Sequence, residues 1–149
     1  MRKIKLSFAF LFLLVVLSCK KDASVPEPEF NINNIAGKSW NITAYTVNGI
    51  DYYAELGNER LFVRSFGTNG KYQLVEPCNP LLDLSCDEDT LKIIFEGVWS
   101  IKSDKLTITN FKNGDEKVYT INVLTDKNFQ YTYTSPSGVV LLYTLSLKK

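Results

Sequence analysis

The chain has 149 residues, 22% of them charged and 45% hydrophobic, which suits one globular domain with an appendage rather than a disordered chain. It contains no His, and this removes imidazole general bases, His-ligated zinc and Ser-His or Cys-His nucleophile pairs. The formal net charge is +1, with no basic excess of the kind a nucleic-acid-binding face requires.

Arg2, Lys3 and Lys5 give a positive start, and Leu6 to Leu17 is apolar apart from Ser7. At about twelve residues this stretch is too short to span a bilayer and reads as the core of a secretory signal. Val16-Leu17-Ser18-Cys19 resembles a bacterial lipobox. The resemblance implies cleavage before Cys19, acylation of that residue and a lipid-anchored product. The alternative is an ordinary signal with a chance Cys. Cys-Lys-Lys-Asp from Cys19 is similar to the start of many lipoproteins of Bacteroidetes. Lys20, rather than Asp, after the Cys implies release to the outer membrane, with the periplasmic or outer face left open. Without residues 1–18 the chain keeps 14 basic and 16 acidic residues, a formal net of −2.

Three segments follow: signal peptide 1–18, lipidated Cys19 with a tether to residue 31, and a folded body 32–149. In the tether, Val25-Pro26-Glu27-Pro28-Glu29 favours an extended solvated chain. Residues 20–31 could reach roughly 40 Å at about 3.3 Å per residue.

The body reads as short alternating strands. Asn41–Val47 alternates Ile42, Ala44 and Thr46 with Thr43, Tyr45 and Val47, and stops at Asn48-Gly49, a hairpin signal. Asp51–Arg60 interrupts the pattern as a short helical turn, whose Tyr52, Tyr53 and Leu56 are candidates to cover an open end. Leu61–Phe66 is the second strand, ending at Gly67-Thr68-Asn69-Gly70, and Lys71–Glu76 is the third. Cys78 and Cys86 lie in the next connection. In an oxidising compartment they are candidates for a disulfide, worth about 2.5 kcal/mol in the chain-entropy model. Leu91–Ile101 is a long strand with Leu91, Ile93, Phe95 and Trp99 expected on one face. Gly97 within it marks a bulge or a close backbone approach. Strands follow around Leu106 and Ile108, over Val118–Leu124 with Tyr119, Ile121 and Val123 on one face, over Phe129–Tyr133, and over Val139–Leu147. Short connections favour antiparallel neighbours. Eight strands suit an up-and-down closed barrel, which leaves no exposed edge. A β-sandwich is the alternative.

Gly37-Lys38-Ser39-Trp40 is similar to the Gly-x-Trp that opens the first strand of lipocalins. Phe66-Gly67-Thr68-Asn69-Gly70-Lys71-Tyr72, Trp99-Ser100-Ile101, Leu106-Thr107-Ile108 and Tyr119-Thr120-Ile121 resemble, in that order, segments of bacterial lipocalin-like domains. The resemblance covers roughly residues 35–147. It implies an eight-stranded barrel in which Gly37 and Trp40 serve the closed end structurally.

Phe62, Phe66, Tyr72, Phe95, Trp99, Tyr131, Tyr133 and Tyr143 are candidates to line an apolar pocket with polar tips. Tyr45, Tyr119 and Phe129 belong to the same aromatic set. The other outcome for all of them is barrel filling. Arg64 shares a strand face with Phe62 and Phe66. If that face is inward, Arg64 needs a carboxylate from the protein or from a ligand. The opposite face, Leu61 and Val63, is also apolar. Asp83, Asp87, Glu88 and Asp89 read as a solvated acidic loop rather than a metal site. Nothing spaces a nucleophile with an activator or makes a phosphate cradle. The sequence therefore points to a non-catalytic module without cofactor or metal that binds a small hydrophobic or amphiphilic ligand. The alternative is a filled barrel that contacts a protein partner through its loops.

Overall fold

The computed structural model describes residues 30–77 and 91–149. Cys19, the tether up to residue 29, and the Cys78–Cys86 connection with its acidic cluster lie outside the described residues. Strands β1 (Lys38–Val47), β2 (Ile50–Asp51), β3 (Val63–Phe66), β4 (Lys71–Pro77), β5 (Leu91–Lys102), β6 (Lys105–Asn110), β7 (Glu116–Leu124), β8 (Asn128–Thr134) and β9 (Val140–Leu147) make up the sheet. Apart from the two-residue β2, each strand pairs antiparallel with its chain neighbour, and β1 also pairs with β9. The result is a closed eight-stranded up-and-down barrel, which leaves no edge for foreign strands to extend. The β2 hairpin turns on Asn48 and Gly49, with φ of 51° and 81°. Two positive values in succession are what a two-residue primed turn requires, and Asn-Gly is the pair that meets it most easily.

Strict alternation fails at three places, where register shifts fall between Ile42 and Ala44, at Leu74/Val75 opposite β5, and between Ile121 and Val123. Each bulge adds a residue to one strand and exchanges the faces beyond it. In β1 the inward series runs Trp40, Ile42 and then Tyr45, whose ring lies tilted against Tyr143 with centres 5.0 Å apart. In β5, Leu91 and Ile93 do not share the inner face expected of them. They pair with Pro77 and Val75 and are 55% and 49% exposed. In β7, Val123 is turned out and Leu124 is buried in its place.

The strand expected from Leu61 begins at Val63, because Ala54–Leu61 coils into 3-10 turns broken at Gly57. Gly57 has φ 55° and ψ −125°, a conformation open to glycine and hostile to a Cβ. On β3 the inward face is that of Arg64 and Phe66. Arg64 pairs across the ladder with Trp40, and Phe66 packs edge-on against Trp99 and Phe129. Val63 faces away from the axis, yet it is buried with its ladder partner Val75.

One end of the barrel is solid. Ile35, Trp40, Phe66, Leu106, Phe129 and Leu145 are all but inaccessible to solvent. Ile35 arrives from a short 3-10 turn, Ile32–Asn34, capped by the Asn31 side chain, which accepts from the Asn33 N–H at 3.0 Å. Phe30 and Ala36 pack onto the same cluster. Trp40 meets Phe129 edge-to-face at 5.6 Å. Trp99 adds a polar tie, its indole N–H donating to the Gly67 carbonyl at 3.1 Å. The Gly37 to Trp40 spacing is one residue longer than Gly-x-Trp, so the resemblance there is of role rather than of spacing. Gly37 turns the chain into β1 with φ 73°, and its N–H donates to the Phe66 carbonyl.

Gly97 faces the backbone of β6. A Cβ added there would overlap the Thr109 carbonyl oxygen. The glycine thus marks a close backbone approach, one of the two roles its sequence context allows.

Candidate binding cavity

Above the aromatic floor the barrel is not filled. A cavity of about 510 Å³ opens toward the end opposite Trp40, within the range of small-molecule sites. Its walls come from alternate residues of facing strands. Arg64 reaches in from β3, Tyr72 and Leu74 from β4, and Phe95 from β5. Ile108 and Tyr119 face them from β6 and β7, with Tyr131 and Tyr143 from β8 and β9. At the rim stand Glu59 from the 3-10 segment, Asn110, Asp115 and Lys117. The segment after the first hairpin therefore borders the opening, and it does so with Glu59 rather than with the Tyr52, Tyr53 and Leu56 expected there.

The tyrosines form a continuous series. Tyr143 lies 5.0 Å from both Tyr45 and Tyr131, Tyr131 lies 5.0 Å from Tyr119, and Tyr119 lies 5.6 Å from Tyr133. Such offset and edge-on pairs hold the rings in fixed orientations. Burial raises the pKa of Tyr72, Tyr119, Tyr131 and Tyr143 well above the ordinary phenol value, so all remain neutral hydroxyls near pH 7.

Among the described residues Arg64 is the cation set into the wall below the rim. Its guanidinium carbon lies 5.8 Å from the centre of the Tyr143 ring. One N–H points to the Phe62 carbonyl at 3.4 Å, a long contact that leaves most of its donors unspent. Burial works against its charge, the neighbouring Tyr131, Tyr72 and Tyr143 favour it once they ionise in strong alkali, and the net direction is upward. The group stays protonated, as arginine does throughout proteins. The ion pairs among the described residues join Lys71 to Glu96, Lys92 to Glu76 and Lys105 to Asp104, and none involves Arg64.

The nine pocket residues named from sequence divide into three groups. Arg64, Tyr72, Phe95, Tyr131 and Tyr143 border the cavity. Phe66 and Trp99 are in the solid floor, with no share in the open space. Phe62 and Tyr133 do not border it either: Phe62 immediately precedes β3, and Tyr133 packs on Tyr119. Leu74, Ile108, Asn110, Asp115, Lys117 and Glu59 were not expected there. For Leu74 and Ile108 the alternation of their strands carried the signal. For the rim residues, only the ring closure reveals that they meet.

A lipocalin-like domain model matches residues 35–131. No curated protein matches the chain. Among solved structures it is similar to bovine odorant-binding protein in complex with a selenium-containing odorant, at 10% identity and TM-score 0.43, over 83% of this chain and 76% of that one. It is also similar to bovine odorant-binding protein complexed with its natural ligand, at 12% identity and TM-score 0.42, over 83% and 77% of the two chains. A third is aphrodisin from the female hamster, at 8% identity and TM-score 0.37, over 76% and 74%. The matched model spans most of the described barrel, and the chain belongs to the lipocalin-like domain family.

Proposed function

We propose that this chain is a non-catalytic binding module that holds one small hydrophobic or amphiphilic molecule inside its barrel. The carrying observation is the open cavity of about 510 Å³ above a closed aromatic floor. A barrel built only as a rigid support for its loops gains nothing from an unfilled half, since empty volume forfeits dispersion contacts. The lining mixes apolar faces with phenol tips and one guanidinium, a composition suited to a ligand with a long apolar part and a small polar part.

The same reading places the domain on a lipid anchor at Cys19, at the outer membrane of a Gram-negative cell. It is supported by the charged start, the short apolar core and the Ser18-Cys19 junction. A multiply acylated cysteine holds firmly, at roughly 0.8 kcal/mol per buried methylene. Metabolic labelling with an alkyne fatty acid should mark the wild-type chain and leave Cys19→Ser unmarked.

Native mass spectrometry tests the binding function on the chain extracted from its own host's membrane, with the anchor trimmed off. An added mass that is lost on denaturation supports a carrier, and its formula gives the ligand class. A bare mass under gentle conditions, together with no displacement of any apolar probe, favours a loop-mediated protein contact instead.

A further inference from the structure

We propose that the wall of the cavity above the Trp40 floor is an anion site, in which the Arg64 guanidinium and the Tyr72 and Tyr131 hydroxyls hold the carboxylate of an amphiphile. The apolar tail then runs toward the mouth along Leu74 and Phe95. This inference rests on the binding function proposed above and names its ligand class.

Three observations carry it. First, Arg64 points into the cavity, on the face it shares with Phe66 and beside the floor tryptophan that is its ladder partner. A guanidinium drawn in from water is costly unless it is paired. Among the described residues no carboxylate pairs with it. Among the described residues the acceptor it reaches is the Phe62 carbonyl, at 3.4 Å, so the planar fork that matches a carboxylate in two parallel bonds remains open there.

Second, Tyr72, Tyr131 and Tyr143 line the same cavity as Arg64, and the Tyr143 ring centre lies 5.8 Å from its guanidinium carbon. A phenol is both donor and acceptor. It can turn its lone pair to the guanidinium and its proton to a bound oxyanion. Among the described residues, the carboxylates that border the cavity, Glu59 and Asp115, are at its rim and not among these hydroxyls.

Third, the acidic groups that border the cavity, Glu59 and Asp115, stand at the rim beside Lys117. The positive end of the cavity is thus inside and the mixed charge outside. A head group gains more from Arg64 than from Lys117, because the inner site is shielded from water and screening is weaker there. The geometry therefore favours a head-in orientation.

The test uses residues 20–149, which retain every strand of the closed ring. A neutral apolar fluorophore is bound and displaced with dodecanoate, dodecanol or dodecylammonium at submicellar concentrations. The tails are equal, so the ranking isolates the head group. Dodecanoate should compete at least about tenfold better than dodecanol, as a buried charge-assisted pair predicts, with dodecylammonium weakest. Arg64→Leu should bring dodecanoate down toward the level of dodecanol and weaken dodecanol far less than dodecanoate. Arg64→Lys keeps the charge without the fork and should fall between. If Arg64→Leu fails to fold, dodecanol binding is lost with it, and the wild-type ranking with Arg64→Lys decides. Equal competition by dodecanoate and dodecanol in the wild type would overturn the anion site while leaving the carrier function standing. A fluorophore that does not bind, with no heat of binding from any of the three amphiphiles, would overturn both.

Discussion

Arg64 and Trp40 are ladder partners on β3 and β1, so a guanidinium that no carboxylate among the described residues pairs stands beside the indole that seals the barrel floor. The boundary between packed core and open cavity passes between these two side chains. On one side Trp40, Phe66 and Phe129 interlock edge to face. On the other Tyr72, Tyr119, Tyr131 and Tyr143 line empty space. The floor and the site can therefore be perturbed separately.

Trp40→Ala should destabilise the fold by about 3–5 kcal/mol, the range for emptying a large buried aromatic position. Trp40→Phe should cost much less, because the ring contact with Phe129 at 5.6 Å survives in part. The Trp40 indole N–H has no hydrogen-bond partner among the described residues, so its replacement by carbon sacrifices no bond there. Urea unfolding followed by circular dichroism separates the two variants. Equal losses for Ala and Phe would contradict the packing role.

Gly97→Ala should destabilise by about 1–3 kcal/mol or more, because its Cβ meets the Thr109 carbonyl on the neighbouring strand. The β5–β6 ladder must open locally to admit it. Val98→Thr, one residue along and 42% exposed, is the control and should stay within about 0.5 kcal/mol. Differential scanning calorimetry on both variants measures the contrast.

The outline of this barrel was legible because its turns announce themselves. Asn48-Gly49 is one example, and the apolar runs between turns alternate. What sequence concealed was the parity beyond each bulge. Ile93, Ile94 and Phe95 are three apolar residues in succession, so no hydropathy signal says which one leaves the alternation. Val123 and Leu124 pose the same problem after Asn122. Arg64 was ambiguous for a related reason: Val63 is buried on the outer face and Phe66 on the inner one, so both faces of β3 look like a core face. Only the long-range ladder to Trp40 decides between them. The rim was out of reach altogether, since Glu59, Asp115 and Lys117 belong to separate segments whose meeting depends on closure.

Stability should be level through neutral pH and fall in alkali. The phenols of Tyr72, Tyr119, Tyr131 and Tyr143 are raised by burial in the folded state, whereas in the unfolded chain they ionise near pH 10. Above that value the unfolded chain has released protons that the folded chain still holds, so each pH unit favours unfolding. The contribution is fully present below about pH 10 and is lost as pH rises toward the folded values. Urea midpoints at pH 8, 10 and 11 check the sign, and absorbance at the tyrosinate band should show a group of tyrosines that ionises only with unfolding.

Glu59→Gln should tighten binding of an anionic amphiphile by about two- to fivefold, the scale of one exposed charge at the edge of a site. Glu59 borders the same cavity as Arg64, and its negative charge opposes an entering carboxylate. Asp115 at the same rim acts in the same direction, and Lys117 against both. Lys117→Gln should therefore weaken binding by a comparable factor. Because these groups meet solvent, both effects should shrink with added salt. The Arg64 effect should persist, because that guanidinium is set into the wall away from the bulk solution. Titrations of dodecanoate at low and high ionic strength, on the wild type and the three single variants, separate the rim from the inner site. If Arg64→Leu proved as salt-sensitive as Glu59→Gln, the head group would be held at the mouth, and the tail, rather than the head, would face the aromatic floor.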